Sequence, residues 1–202
     1  AGPFDTYRTT ADISTPLTES GSVRGRLVAA YQKNRSFLDR YHSQRSVMYG
    51  TVEADLAERT VLRLGFNYQR NTPKGTTAGG FPLWYADGSR TNWDRSLNVG
   101  ADWTRWTIIT TGAFADLEHA FGNGWKINTM LSHSKHRADF KTVFLTGSPD
   151  RNTGLGMSAY PNNHYGDRRQ SSADIKVSGP VQLFGRQHEL IAPVQDSGRD
   201  AR

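Results

Sequence analysis

The sequence contains no cysteine, and it contains no long hydrophobic run. Without cysteine there is no thiol catalysis, no thiolate metal site and no disulfide, although the compartment stays open. No segment approaches the roughly 18 apolar residues that a membrane-spanning helix requires, so a helical membrane protein is excluded. Residues 1–4 lack the basic and apolar regions of a signal peptide, so either the mature form is present or the start of the gene product is missing.

The composition is polar on average but rich in aromatic residues. Only 36% of the 202 residues are hydrophobic, yet 5 Trp, 8 Tyr and 9 Phe argue against disorder. This balance suits a wall with one apolar face and one wet face. The formal net charge is +6, but the 25 Lys and Arg mostly alternate with apolar residues and form no basic stripe. We therefore expect no nucleic-acid partner.

Alternation of apolar and polar residues recurs along most of the chain, and long helical periodicity is absent. The pattern predicts strands at residues 7–14, 23–32, 46–56, 61–70, 103–121, 125–140 and 170–178, with another beginning at 187. The clearest one places Leu62, Leu64, Phe66 and Tyr68 on one face. Several of these strands exceed the five to six residues typical of soluble proteins. Pro16 is expected to end the first, because proline cannot donate to a strand ladder.

The connections alternate between short turns and long polar segments. Short turns follow the first, third, fifth and seventh strands, while residues 33–45, 71–102 and 141–168 read as loops. In a sheet of hairpins, all short turns then lie at one end and all loops at the other, as in outer-membrane barrels. Arg24 and Arg26 point to the non-apolar face, which is costly in a dry core and ordinary in a wet lumen. A soluble β-sandwich or adhesin-like binding module that folds without detergent is the alternative.

Several stretches resemble the TonB-dependent ferric-siderophore receptors, in particular the branch for hydroxamate siderophores and pyoverdines. The matching segments are residues 4–8, 12–17, 25–32, 36–39, 65–69, 80–83, 101–106 and 121–125. The resemblance implies an all-β fold: an antiparallel meander of about eight strands from a 22-stranded outer-membrane barrel. It also implies binding of a ferric siderophore outside the cell and uptake with energy from TonB.

The resemblance covers residues 1–191, and it is incomplete in ways that affect function. The plug domain and TonB-binding segment of the family have no counterpart here, so TonB would act only through the missing N-terminal part. This implies a segment that cannot transport by itself. Residues 192–202 do not match the family and break the alternation, which we interpret as a truncation or a frame change.

Candidate ligand contacts are aromatic residues near the loop end, since a siderophore chelate brings its own iron ligands and needs flat apolar faces. These candidates are Trp84, Tyr85, Trp93, Trp103, Trp106 and Tyr160. Trp84 and Tyr85 come first, because they lie inside a long polar loop. Trp103 and Trp106 are three apart in a predicted strand, so at most one enters the lumen. An interfacial aromatic girdle is the other interpretation of that pair. Tyr7, Tyr31 and Tyr68 are expected to face lipid.

No catalytic or metal site emerges from the sequence. His133 and His136 would lie on opposite faces of one strand, which does not suit chelation. The acidic and basic residues at 87–90 and 94–95 suit turn chemistry better than catalysis. We therefore expect no enzyme activity and no cofactor, with ferric iron present only inside the siderophore ligand.

Overall fold

A computed structural model describes residues 2–202 as eight antiparallel strands that pair in sequence order within one open sheet. The strands are β1 (Tyr7–Pro16), β2 (Val23–Arg35), β3 (His42–Ala57), β4 (Thr60–Lys74), β5 (Arg105–Ala120), β6 (Lys126–Thr146), β7 (Ser158–Leu183) and β8 (Arg186–Ala201). The predicted all-β meander is confirmed, and β1 ends at Pro16 as expected. No helix within residues 2–202 has the length and apolar character needed to cross a membrane.

Two predicted loops are much shorter than the sequence indicated. The β2–β3 connection spans residues 36–41 rather than 33–45, and the β6–β7 connection spans 147–157 rather than 141–168. Strands β6 and β7 consequently reach 21 and 26 residues. The prediction was wrong there because apolar and polar residues are mixed on both faces of these upper strand segments, as at Val143, Phe144 and Leu145, so alternation disappears while the backbone pairing continues.

The start of β5 and the end of β8 also differ from the predicted pattern. Trp103 lies in a turn closed by a hydrogen bond from the Thr104 amide to the Ala101 carbonyl, and β5 begins only at Arg105. At the other end, β8 continues through residues 192–201 and pairs with β7 up to Ala201. The assignment of this tail to a truncation or frame change stays a prediction.

The sheet has one apolar face, and no second layer formed by residues 2–202 covers it. Apart from prolines, Val143 is the only hydrophobic side chain among residues 2–202 that is buried. Ile13, Leu64 and Leu131 on the apolar face remain between 47% and 62% exposed. A β-sandwich would bury this face against a second sheet. The structure is therefore a wall, and the sandwich alternative is not supported.

The apolar band crosses the strands diagonally. One cross-strand row joins Ile13 on β1 to Gly198 on β8 through successive register partners. On β1 the apolar band reaches Tyr7, which lies six residues beyond this row toward the loop end. On β8 the band already ends at Val194, which lies four residues from the row on the side of the short turns. From β1 to β8 the upper edge of the band thus shifts by about ten residues along the strands, at about 3.3 Å per residue. Across seven strand spacings of about 4.8 Å, this shift corresponds to a strand tilt near 45° relative to the normal of the band. Membrane barrels have strands tilted by about 35–45°.

Aromatic rings on neighbouring strands cover glycines in the wall. A Cβ added to Gly50 would collide with the Phe66 ring on the outward face, and one added to Gly65 would collide with the Phe114 ring on the inward face. Such rings shield strand positions that have no side chain and help to fix the register.

Candidate functional site

The inward face carries a row of aromatic rings near the loop end. Trp106 on β5, Phe140 on β6 and His164 on β7 are register partners across the three strands. The ring centroids lie 4.7 Å apart for Trp106 and Phe140, and 4.8 Å apart for Phe140 and His164. Strand alternation places Trp106 on the same face as Asp116, the polar face, so it does not belong to a lipid-facing girdle.

A second pair of rings continues this surface toward the loops. Phe144 and Tyr160 are register partners, and their rings stack with centroids 5.3 Å apart and an interplanar angle of 20°. Phe144 lies four residues beyond Phe140 on the same face of β6. The two groups of rings present flat apolar surfaces to the interior, a form that suits a bulky ligand with planar groups.

A cavity of about 350 Å³ opens beside Trp106. Its walls are the inward side chains Asn71 and Ile108, together with residues of the β2–β3 and β4–β5 loops. The Thr76 hydroxyl on this wall is buried and has no hydrogen-bond partner among residues 2–202. An apolar surface edged by an unpaired polar group can both stack a ligand and orient it.

Asn98 joins the loops that border the cavity. Its side-chain amide nitrogen donates to the carbonyl oxygens of Asp39 and Gly75, both at 2.7 Å, and its oxygen accepts from the Gly100 amide at 2.9 Å. The side chain is almost fully buried, with 4% of the residue exposed. The guanidinium of Arg95 lies 4.6 Å from the Phe37 ring centroid and links the same two loops. The 30-residue β4–β5 loop is thus ordered both by its own hydrogen bonds and by contacts with the β2–β3 loop.

The predicted site residues separate into three groups. Trp106 and Tyr160 lie on the inward wall, as just described. Trp93 instead packs inside the β4–β5 loop, 5.0 Å from Phe81 and 6.4 Å from Tyr85 between ring centroids, and its Nε1 donates to the Pro82 carbonyl at 2.7 Å.

Trp84 and Trp103 are about half exposed, at 55% and 49%, and neither is in a ring cluster. Trp84 lies in a small hairpin, where it pairs with Arg90. The structure therefore brings two of the six candidates onto one surface. Sequence reasoning missed Phe140, Phe144 and His164, which only the strand register connects to them.

The loop carboxylates form turns, as the sequence indicated. Asp87 Oδ1 accepts from the amide and hydroxyl of Ser89 at 2.8 and 2.6 Å, and these bonds lower the pKa of Asp87. The amide of Ser96 likewise lowers the pKa of Asp94, and the amide of Thr153 lowers that of Asp150. Each carboxylate is thereby kept ionised as a turn acceptor rather than held ready as an acid.

Charged side chains form a ladder on the inward face near the short-turn end. Arg24 contacts Glu53 at 2.6 Å, Glu53 also contacts Arg63, and Arg63 contacts Asp116 at 3.1 Å. The prediction that arginine points inward is confirmed for Arg24. A wet interior permits such a ladder, because each charge is both paired and partly solvated. His133 and His136 lie on opposite faces, where they contact Ser171 and Thr110.

The chain is similar to ferric-pyoverdine receptors of Pseudomonas over almost its whole length. The chain is 43% identical over 195 residues to the ferripyoverdine receptor of Pseudomonas aeruginosa, covering 95% of this chain and 23% of that protein. It is 41% identical over 193 residues to the ferric-pyoverdine BN7/BN8 receptor of Pseudomonas putida, covering 95% and 24%. The chain matches a segment of a TonB-dependent siderophore-receptor barrel. No family model matches it.

A solved structure supports the same assignment. The crystal structure of the Pseudomonas aeruginosa outer-membrane ferripyoverdine receptor, bound to ferripyoverdine, aligns with a TM-score of 0.93 and 41% identity over 98% of this chain and 26% of that chain. The chain spans about a quarter of the length of the curated relatives it matches. These strands belong to the outer membrane, and the relatives are receptors rather than enzymes.

Proposed function

We propose that the protein binds a ferric siderophore of the pyoverdine class and takes it up across the outer membrane with energy from TonB. The observation that carries this proposal is the stack of Trp106, Phe140 and His164 on the inward wall at the loop end. The printed names of the relatives, ferripyoverdine and ferric-pyoverdine receptors, give the ligand class. TonB would act through parts of the protein other than these strands.

The inward face of the wall has to recognise the ligand and not to react with it. A ferric chelate already satisfies its iron, so the protein supplies stacking surfaces and a few polar groups rather than metal ligands. Ferric iron then enters only as part of the ligand, and the protein needs no cofactor. No covalent step is required, so the protein acts as a receptor and not as an enzyme. The inward face of the strands would bind the ligand, and the outward apolar band would contact lipid.

The test is a titration of the protein, at its natural length in detergent, with ferric pyoverdine. Isothermal titration calorimetry is preferred, because its signal does not depend on the number of tryptophans. We expect Trp106→Ala and Phe140→Ala each to weaken binding by about tenfold, since an aromatic contact contributes about 0.5–1.5 kcal/mol beyond its buried area. Tyr68→Ala removes an aromatic ring from the outward face and is the matched control.

Two results would overturn parts of this proposal. If no pyoverdine or hydroxamate siderophore binds the wild-type protein, the function is wrong. If Trp84→Ala abolishes binding while Trp106→Ala leaves it unchanged, the ligand contacts the exposed hairpin of the β4–β5 loop and not the wall.

A further inference from the structure

Three cations surround one carboxylate on the outward face of β6 and β7. Lys135 Nζ lies 2.9 Å from Asp167 Oδ2, Arg137 Nε lies 3.7 Å from the same oxygen, and Arg169 Nε lies 3.8 Å from Asp167 Oδ1. One carboxylate cannot neutralise three cations. The other acidic groups nearby have partners of their own, since Asp139 contacts Arg105 at 2.9 Å and Asp200 contacts Arg202 at 3.6 Å.

This cluster lies just above the apolar band. Lys135 follows Leu131, the last large apolar residue of the band on β6, by four residues, and Arg169 precedes Ala173 on β7 by the same interval. Four residues span about 13 Å along a strand, or about 9 Å in height at the 45° tilt. That height reaches the outer edge of the headgroup layer, which adds about 5–8 Å on each side of the hydrocarbon core.

Cations recur at the same level on other strands. On β2 the next outward residue beyond Tyr31 is Lys33, and on β4 the next outward residue beyond Tyr68 is Arg70. The cations therefore follow the diagonal upper edge of the band rather than a single strand. Because they point outward, they cannot contact a ligand held on the inward aromatic surface.

We propose that Lys135, Arg137 and Arg169 bind phosphate groups of an anionic lipid in the outer leaflet. The two arginines are accessible, with side chains 54% and 57% exposed, whereas Asp167 beneath them is only 18% exposed. Guanidinium groups match phosphate oxygens with paired hydrogen bonds, and the lysine adds a point charge. Asp167 orients the three cations and leaves the cluster with a net positive charge. This lipid site goes beyond the proposed uptake function and does not depend on it.

The experiment compares lipid binding by the protein, at its natural length, in vesicles that contain diphosphoryl lipid A or its dephosphorylated form. We expect the wild-type protein to retain the diphosphoryl lipid on native mass spectrometry and to retain little of the dephosphorylated form. The Arg137→Gln/Arg169→Gln variant should lose about thirtyfold in affinity, the loss expected for two cations at an anionic lipid surface.

The matched control is Arg8→Gln/Arg168→Gln, which removes the same charge from the inward face. Arg168 adjoins Arg169 in the chain but points the opposite way. Equal lipid retention by the two double variants, or equal retention of both lipids by the wild type, would overturn the proposal. Circular dichroism in the same detergent checks that both variants keep their strands, and ferric pyoverdine affinity should stay unchanged in the outward variant.

Discussion

Replacing Asn98 with alanine should release the loops around the candidate ligand cavity while leaving the wall intact. The substitution removes three hydrogen bonds, which join the side chain to Asp39, Gly75 and Gly100. All three lost partners are backbone groups, and the site is closed to water. Each bond contributes about 0.5–1.5 kcal/mol, so the loops should lose about 2–4 kcal/mol of local stability.

Hydrogen exchange measures this loss directly, because local opening sets the exchange rate of protected amides. The Gly100 amide loses its acceptor, and the Asp39 amide, which donates to the Ser96 carbonyl at 2.8 Å, reports on the joined loops. We expect both amides to exchange about 30-fold to 1,000-fold faster. Amides in the centre of β4 should keep their protection.

The matched control for this substitution lies in the same loop. Asn92→Ala removes an exposed asparagine side chain and should leave the exchange rates unchanged. If Asn98→Ala exchanges at wild-type rates at both reporter amides, then Asn98 does not hold the loops together and the ordered-loop account is wrong.

The charge ladder, the loop turns and the uncovered faces of the sheet can each be tested separately. Arg63→Met leaves the carboxylates of Glu53 and Asp116 without the cation between them, so the free energy of unfolding should fall by about 1–3 kcal/mol and the unfolding temperature in detergent should fall with it. An unchanged unfolding temperature would show that the charge ladder contributes nothing to stability. The carboxyl groups of Asp87, Asp94 and Asp150 have lowered pKa values, so their contribution to the stability of the loop turns is complete above the ordinary pKa of 3.8 and is lost as the pH falls through the lowered values. Amide exchange should therefore show intact turns at pH 5 and open turns only well below pH 3.8. Opening of the turns at pH 5 would contradict this assignment. The 202-residue chain made by itself should be insoluble or require detergent, because its apolar face and strand edges are uncovered; sedimentation as a single monomeric species in plain buffer would refute this.

The membrane-spanning part of the wall was predictable because one face there meets lipid and the other meets water. Residues 61–70 show this most clearly, and the structure places them in β4 with Leu64 outward and Arg63 inward. Above the band apolar and polar residues are mixed on both faces, so the upper parts of β6 and β7 carried no alternation and were assigned to a loop. Backbone pairing there is set by continuation from below rather than by hydrophobic patterning.

The candidate site was only partly predictable for a related reason. Trp106 and Tyr160 were selected as aromatic residues near the loop end, but nothing local identified Phe140 and His164 as their neighbours. Asn98 was missed altogether, since its partner Asp39 is 59 residues away. These residues are brought to the site by the strand register and by contacts between residues far apart in the sequence, and local composition shows neither.

Alternate residues of this wall are expected to face lipid on one side and an aqueous interior on the other. Because the chain has no cysteine, a single introduced cysteine gives a unique site for a spin label. Labels at Leu64 and Phe66 should be accessible to dissolved oxygen and shielded from a water-soluble nickel complex, whereas labels at Asn67 and Gln69 should show the reverse. Shielding of the Leu64 label from both reagents would indicate a dry protein core, and it would contradict the account.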